Sequence, residues 1–342
     1  MGKKFILLLL CAAGCLPVTA QQPGRPLLSL TDTAFFNTAE ARRIGEQLLA
    51  YQRNTGGWSK NIDMARPLNG KELKEVLKDK SRSDDSTIDN GATTQQMNFL
   101  ARLYHQTGDT RYRDAFRRAV LYLLSGQYDN GGWPQFWPNA RGYQVHITFN
   151  DDAMVNTLNL LRSLAEAQPP YEGDLIGEAL RKQTSEAFDK GIECILATQI
   201  IVDGQPTVWC QQHDRITLKP AAARAYELPS FCSQESAAIV QLLMTLPCPD
   251  DRTKRAVEGA MKWLDAHKIV TPDAQAAPIW ARFYDLEEEK PFFCDRDGIP
   301  RRRLEEIGDE RRYGYSWYNN RAASLYPQYD EWAQRHIGIL AH

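Results

Sequence analysis

Apolar residues along most of the chain recur at the three- and four-residue spacing of amphipathic helices, and strand signals are few. One unit occurs three times: a helix, a glutamine at its end, and a loop that carries a tryptophan. The copies are residues 40–51, Gln52 and Trp58; residues 121–127 and Trp133; and, more weakly, residues 192–199 and Trp209.

Each tryptophan loop leads into a second helical run, namely residues 90–105, 151–167 and 232–246, and residues 253–267 add a further helix. Repeated helical hairpins bury their apolar faces against their neighbours, and their second helices begin at the same end of the assembly. The pattern therefore predicts an all-α fold, an (α/α)3 toroid whose long loops carry the cleft.

Acidic residues stand where two of the second helices begin, in segments 86–90 (STIDN) and 148–152 (TFNDD). Asp and Asn are ordinary helix N-caps, which is one interpretation of Asp89 and Asp151. The alternative is that the two segments meet in one cleft. Their carboxylate oxygens would then suit a hard cation, and calcium is the natural choice.

The tryptophan loops also have two interpretations. Glycines before a tryptophan allow the chain to turn back, so the indole can be a structural staple. Ligand clefts are lined by aromatic side chains, and Trp133, Phe136, Trp137 and Tyr143 lie close together in the sequence. We expect at least one of them, Trp133 first, to contact a ligand. Lys60 is either solvated or placed to reach an anionic substrate.

The N-terminus is typical of a signal peptide. A basic start, the apolar stretch 5–11 and the small residues 18–20 predict removal of residues 1–20. The remaining 21–342 would form a single catalytic domain without a membrane span. We expect a periplasmic or secreted protein, and a lipid anchor at Cys15 is the alternative.

The charge and the cysteines exclude several classes of protein. A formal net charge of -2 gives no electrostatic footprint for nucleic acid. An odd number of cysteines without C-x-x-C spacing argues against a zinc site and against a full disulfide framework. The cysteines beyond residue 20 are Cys194, Cys210, Cys232, Cys248 and Cys294.

Eight short motifs follow one another along the chain. They are 56–61 (GGWSKN), 86–94 (STIDNGATT), 132–136 (GWPQF), 147–151 (ITFND), 220–227 (PAAARAYE), 281–286 (ARFYDL), 296–298 (RDG) and 311–318 (RRYGYSWY). In this order they resemble the motifs of the family 10 pectate lyases. The sequence departs at Ser59, where that family usually has proline, and this difference concerns the stiffness of the loop.

The resemblance implies a calcium-dependent endo-lyase on an (α/α)3 toroid that cleaves α-1,4-polygalacturonate by anti-β-elimination. By position in the motifs, Asp151 resembles a calcium ligand, and Asp89 resembles a residue that binds both the cation and a substrate carboxylate. Arg224 resembles the catalytic base. One of Arg311 and Arg312 resembles an arginine that binds substrate carboxylate.

The residue types suit this chemistry. Removal of a proton next to a uronate carboxylate spreads negative charge onto that carboxylate, which calcium and a forked guanidinium both stabilise. Arginine is rarely a base, since deprotonation of a guanidinium with a pKa of about 13 requires roughly 6 kcal/mol near pH 8.5. We expect neighbouring cations to reduce that cost and to give an alkaline optimum. The alternative is that Arg224 only binds substrate.

Two other functions remain as alternatives. An inverting glycoside hydrolase on a helical toroid would work without calcium and release saturated sugars. A non-catalytic pectin-binding protein would keep the aromatic and basic residues without using Arg224 as a base. In each case we expect a monomer whose partner is polygalacturonate.

Overall fold

The computed structural model describes residues 31–270 and 277–338. The predicted signal peptide (1–20) and the alternative anchor at Cys15 lie outside these residues. No helix within the two described ranges is long and apolar enough to cross a membrane. The helices of these ranges are α1 (Ala39–Tyr51), α2 (Gly70–Lys78), α3 (Thr94–Thr107), α4 (Thr110–Gly126), α5 (Ala153–Ala165), α6 (Glu178–Thr198), α7 (Ser233–Met244), α8 (Asp251–Ala266), α9 (Asp309–Gly314) and α10 (Leu325–His336).

Eight of these helices form two rows. The inner helices α3, α5, α7 and α10 pack against one another in chain order, and the outer helices α1, α4, α6 and α8 do the same. The inner helices α3, α5 and α7 also pack tightly against the outer helix that follows each of them. This arrangement buries the apolar face of every helix between the rows and confirms the predicted all-α toroid of helical hairpins.

The sequence predicted three successions of outer and inner helix, and the structure adds a fourth in chain order, α8 followed by α10, which packs against the inner helix α7. The connection between these two helices is long and contains strands and the short helix α9. The regular spacing of helix, loop and helix is lost there, which explains why the pattern did not reveal the pair.

The tryptophan of each unit is a structural staple. Its indole Nε1–H donates to a carbonyl oxygen in the last turns of the outer helix that precedes it, and a fourth tryptophan repeats the contact after α8. The four bonds are Trp58 to Leu48 (2.9 Å), Trp133 to Leu123 (2.8 Å), Trp209 to Ile195 (2.7 Å) and Trp280 to Leu264 (2.8 Å). Each bond satisfies a carbonyl near the end of its helix while the ring fills the core.

The prediction that Trp133 contacts substrate is therefore wrong. Its side chain is only 2% exposed, and its one polar atom is already bonded to Leu123. The same glycines that suggested an exposed binding loop allow the chain to fold the indole inwards. Gly132 shows how tightly: a Cβ there would lie 2.6 Å from the side chain of Ile147.

The glutamine of each unit ties one outer helix to the next. Its Nε2 donates both to its own tryptophan loop and to a backbone carbonyl of the following outer helix. The carbonyls on the following helices belong to Ala115 for Gln52 (2.8 Å), Ala187 for Gln127 (2.8 Å) and Ala256 for Gln199 (2.9 Å). The repeat seen in the sequence thus encodes both the loop and the spacing of the outer row.

Strands are short and pair in twos. Antiparallel pairs join β1 to β4, β2 to β3, β5 to β7, β6 to β10 and β8 to β9. Their bounds are β1 Ile147–Thr148, β2 Ile201–Val202, β3 Gln205–Pro206, β4 Gln212–His213, β5 Phe231–Cys232, β6 Trp280–Ala281, β7 Phe283–Tyr284, β8 Phe293–Cys294, β9 Pro300–Arg301 and β10 Tyr318–Asn319. Several of these pairs connect the segments that lead into the inner helices.

Two hydrophobic clusters support the fold. The larger fills the space between the helix rows. The smaller lies under the C-terminal loops and is built mainly from aromatic residues, among them Tyr226, Phe283 and Trp317. It packs beneath the loop that contains Arg224 and the short helix α9 that contains Arg311.

Candidate functional site

Two inner helices begin side by side at one end of the toroid. A short 3-10 turn precedes each of them, Asp89–Gly91 before α3 and Asn150–Asp152 before α5, and the two turns pack against each other. Asn90 (φ 52°) and Asp151 (φ 51°) have left-handed backbone conformations. Asn and Asp tolerate this conformation better than most residues, and such strain is concentrated at functional sites.

The tryptophan loops fix the position of both turns. The N–H of Thr87 donates to the carbonyl oxygen of Trp58, and the N–H of Thr148 donates to that of Trp133, each over 3.1 Å. Because the two loops are copies of one unit, they place the acidic segments in equivalent positions.

Neither acidic side chain caps its helix. The residues at the N-cap positions are Thr93 for α3 and Asp152 for α5, and neither helix has a side-chain cap. The Oδ1 of Asp89 instead accepts the N–H of the adjacent Asn90 (3.0 Å). The capping interpretation of Asp89 and Asp151 is therefore wrong, and both carboxylates are available for another role.

Asp89 is buried and held from two sides. Its Oδ2 accepts a hydrogen bond from Gln135 Nε2 (2.7 Å) and forms an ion pair with Lys60 Nζ. The ammonium group of Lys60 also lies 5.5 Å from the ring centroid of Phe136. Lys60 is therefore not a freely solvated lysine. The aromatic ring that lies next to it and to Asp89 is that of Phe136.

Asp151 lies partly buried beside Asp89. The pKa of Asp151 is raised to about 6, chiefly by burial and also by the negative charges of Asp89 and Glu235, while Arg282 and Arg224 act in the opposite direction. The Oδ2 of Asp151 accepts one hydrogen bond, from Asn150 Nδ2 (3.0 Å). The site thus has an excess of negative charge that a bound cation would relieve.

The oxygen atoms at this position suit calcium. Within the described residues no cluster of three or more acidic, histidine or cysteine side chains is gathered for a metal. Two carboxylates nevertheless lie close together, and the buried Oε1 of Gln135 has no hydrogen-bond partner there. Calcium takes carboxylate, amide and water oxygens in a flexible shell. Asp89, Asp151 and Gln135 would supply part of that shell, and water and a substrate carboxylate would supply the rest.

A buried ion pair supports the second acidic turn from below. Arg282 Nη2 donates to Glu235 Oε1 (2.6 Å) and to Asn150 Oδ1 (3.1 Å), and both charged side chains are at most 5% exposed. Burial alone would lower the pKa of Arg282, but the carboxylate of Glu235 raises it by more, so the guanidinium keeps its charge. Breaking such a pair typically costs about 3–5 kcal/mol. Sequence reasoning assigned no role to either residue.

Arg224 lies on the loop between β4 and β5 and forms an ion pair with Glu227. Its Nε donates to Glu227 Oε2 (2.7 Å), and its Nη2 donates to Glu227 Oε1. The guanidinium carbon lies 4.9 Å from the ring centroid of Tyr226 and 5.7 Å from that of Tyr315. Its positive charge acts to lower the pKa of Asp151 and of Tyr143, so the predicted base is within electrostatic range of the acidic pair.

The pKa of Arg224 is raised above its ordinary value. Burial lowers it, but the hydrogen-bonded carboxylate of Glu227 raises it by more. We expected neighbouring cations to lower the pKa of Arg224. In the protein without metal its neighbours raise this pKa instead. A decrease in this pKa would have to come with bound calcium and substrate.

The structure separates the two arginines that the sequence left open. Arg311 is buried, and its guanidinium carbon lies 4.7 Å from the ring centroid of Tyr226. The guanidinium of Arg224 lies against the same ring. Arg312 Nη2 donates to the backbone carbonyls of Glu305 and Ile307 (2.9 Å for the latter) and so fixes the neighbouring loop. Of the two, only Arg311 lies against the same ring as Arg224, and its Nε and Nη2 donate to the carboxylate of Glu310. Which of them binds substrate stays a prediction.

A groove of about 820 Å³ lies elsewhere, on the surface of α6 and the connection between α7 and α8. It contains none of the acidic or basic residues of the cleft. The chemistry of the cleft, rather than the size of a cavity, identifies the functional end of the toroid.

Comparisons with known proteins show the family to which the chain belongs. The sequence profile of the pectic acid lyase family matches residues 52–326. The structure is similar to that of the family 10 polysaccharide lyase from Cellvibrio cellulosa, with a TM-score of 0.77, 34% sequence identity and coverage of 90% of this chain and 96% of that chain. No curated protein matches the chain.

An aspartate-to-alanine mutant of the Cellvibrio cellulosa lyase, in complex with trigalacturonic acid, is also similar. Its TM-score is 0.76, with 34% identity and coverage of 88% of this chain and 96% of that chain. A profile match over most of the chain and an identity of this size across nearly the whole structure establish the family. The chain is a lyase and belongs to the pectic acid lyases, family 10 of the polysaccharide lyases.

Proposed function

We propose that this lyase cleaves α-1,4-polygalacturonate by calcium-dependent anti-β-elimination and releases 4,5-unsaturated oligogalacturonides. The observation that carries the proposal is the pair Asp89 and Asp151, which cap no helix and share a cleft with Arg224. The trigalacturonic acid complex of the similar Cellvibrio cellulosa enzyme supports the choice of substrate.

The residues of the cleft divide into two sets with different tasks. Asp89 and Asp151 would hold calcium, which when bound supplies positive charge next to the uronate carboxylate. Lys60, which is paired with Asp89, and Arg311, which lies against the same ring as Arg224, would bind further carboxylates of the polymer, since Arg311 has a planar fork and Lys60 a compact charge. The substrate would thus be held by its carboxylates, the groups that distinguish pectate from neutral polysaccharides.

Arg224 would take the proton from C5 of the uronate at the cleavage point. The electron pair of the C5–H bond then forms the C4=C5 double bond, and the C4–O bond breaks. The leaving oxygen departs with its electron pair and takes a proton from water. No water is added across the cleaved bond, which distinguishes this elimination from hydrolysis.

Hydrolysis is the reaction from which elimination must be distinguished in this cleft, because the two carboxyl groups differ in their surroundings. Asp151 has a raised pKa of about 6, so near that pH it is partly protonated, while Asp89 is paired with Lys60. Two carboxyl groups in different environments are also how glycoside hydrolases separate their acid from their base. Calcium would ionise Asp151 and remove this activity, so the two functions respond to calcium in opposite ways.

The test is an assay of purified protein on polygalacturonate, followed by the ultraviolet absorption of the C4=C5 double bond conjugated to the carboxylate. We expect absorbing products with calcium, loss of the signal in excess chelator, and recovery when calcium is restored. Reducing sugars without ultraviolet absorption, formed in chelator and lost when calcium is added, would support hydrolysis. Binding without any products would support the pectin-binding protein.

A further inference from the structure

Glu227 holds Arg224 in one orientation. Its Oε2 accepts both the backbone N–H of Arg224 (3.1 Å) and Nε of the side chain (2.7 Å), and its Oε1 accepts Nη2. Within the described part of the chain, Nη1 of Arg224 has no hydrogen-bond partner. Since the Arg224 side chain is 42% exposed, one nitrogen of the three is left to face the cleft.

The carboxylate that imposes this orientation is itself fixed. Glu227 is 2% exposed, and its Oε1 also accepts the hydroxyl of Tyr315 (2.8 Å). Its backbone is tied to the same loop, since the N–H of Glu227 donates to the carbonyl of Arg224 (2.8 Å). A buried carboxylate with four donors on its two oxygens cannot move without losing several charge-assisted hydrogen bonds.

We infer that Glu227 is a positioning residue for the elimination, which presents Nη1 of Arg224 as the nitrogen that takes the C5 proton. This inference rests on the proposed function. The proton moves from C5 to Nη1 of a neutral guanidine, the C5–H electrons form the C4=C5 bond, and the C4 oxygen leaves with its own pair. Glu227 exchanges no proton and touches no substrate.

The same contact has an electrostatic cost. The negative charge of Glu227 favours the protonated form of Arg224, and the hydroxyl of Tyr315 offsets part of that charge by donating to the same carboxylate. The other charged or titratable groups around Arg224 are Tyr226 on its own loop, Tyr143 on the segment before β1, and Asp151 on the acidic turn. Two further cations share the Tyr226 ring with Arg224, since the guanidinium carbons of Arg311 and Arg296 lie 4.7 Å and 5.9 Å from its centroid. Only Glu227 and Tyr315 form the hydrogen-bonded chain that ends on Arg224.

Two substitutions should therefore move the pH dependence in opposite directions. Glu227→Gln keeps an oxygen acceptor but removes the charge, so the rising alkaline limb of kcat should shift to lower pH by about one unit or more. Tyr315→Phe keeps the ring but leaves the carboxylate more negative, so the limb should shift to higher pH by a few tenths of a unit. The maximal kcat should fall at least about tenfold in Glu227→Gln, because Nη1 is no longer held.

The experiment measures kcat against pH with saturating trigalacturonate and calcium, for the wild type and both variants. Glu306→Gln is the matched control, because Glu306 makes the same paired contacts with Arg303 three residues earlier on an exposed loop. We expect the control to leave the profile unchanged. A limb at the wild-type position in both variants, or shifts of the same sign, would overturn the inference.

Failure of the inference and failure of the proposed function give different results. If the wild type forms unsaturated products and the limb does not respond, only the role of Glu227 is refuted. If the wild type forms no unsaturated products, both proposals fall. A purely structural role for Glu227 would lower kcat at every pH, with the limb at its wild-type position, and would also count against the inference.

Discussion

Arg224→Lys should bind trigalacturonate with calcium nearly as well as the wild type and lose at least about two orders of magnitude in turnover. Lysine keeps the positive charge but replaces the planar fork by a single nitrogen, so it cannot form the paired bond with Glu227 and still present a second nitrogen to the cleft. A misplaced base loses most of the typical contribution of general-base catalysis. Calorimetric binding and initial rates on one preparation measure the two quantities.

The control for Arg224→Lys is Arg303→Lys. Arg303 is bonded to Glu306 as Arg224 is to Glu227, but it lies on an exposed loop, so its substitution should change neither binding nor turnover. Turnover of Arg224→Lys within a few-fold of the wild type would show that Arg224 is not the base. A parallel loss of binding and turnover would make it a substrate anchor.

Asp151→Asn should abolish the response to calcium while it leaves the helical circular dichroism unchanged. We expect a loss of at least about a hundredfold in turnover at a calcium concentration that saturates the wild type, since even residues that only orient metal ligands cost 10–100-fold. Because the Asp151 side chain caps no helix, its replacement removes no capping bond from α5. Product formation over a calcium titration provides the measurement.

The same variant makes a prediction about stability and pH. The pKa of Asp151 is raised from 3.8 to about 6, so its ionised form destabilises the folded, calcium-free protein above pH 6. Well below pH 3.8 the group is protonated in both states and this cost disappears. Asp151→Asn should therefore be more stable than the wild type in chelator at pH 8, by up to about 3 kcal/mol, and the difference should shrink as the pH falls from about 6 and vanish at about pH 3.

Asp250→Asn is the matched control for Asp151→Asn. Asp250 also stands at the start of a helix, but it does cap α8, accepting the N–H of Thr253 over 2.8 Å, and asparagine caps equally well. Calcium should raise the melting temperature of this control and of the wild type, but not that of Asp151→Asn. A calcium response retained in Asp151→Asn would remove Asp151 from the metal site.

The sequence predicted the fold where one unit encodes several contacts at once. Gln52 and Trp58 belong to a repeat whose members staple each loop and tie each outer helix to the next, so three hairpins were visible from pattern alone. The fourth hairpin was missed because its connection is long and irregular. The inner helices also begin later than expected, α3 at Thr94 and α5 at Ala153, because a strained 3-10 turn intervenes.

The site was predictable where a residue stands in a motif with its own chemistry. Asp89, Asp151, Lys60 and Arg224 are brought to one end of the toroid, although their catalytic roles stay predictions. Trp133 was misassigned, because a tryptophan after glycines can equally well turn into the core.

The supporting residues could not be found in the same way. Arg282 and Glu235 are 47 residues apart, and Gln135 and Asp89 are 46 residues apart. Only the folded chain brings these partners together. Glu227 is the exception, since an arginine and a glutamate three residues apart in the motif of residues 220–227 could have suggested a pair before the structure was seen.

The central claim is that this chain breaks its substrate by elimination with Arg224 as base, and the mass of the products tests it most directly. Trigalacturonate is cleaved with calcium in water labelled with heavy oxygen, and both fragments are weighed. We predict that one fragment is lighter by one water than a saturated oligogalacturonide and that neither cleaved end carries the label. Two saturated fragments, one of them with heavy oxygen at its new end, would contradict the account.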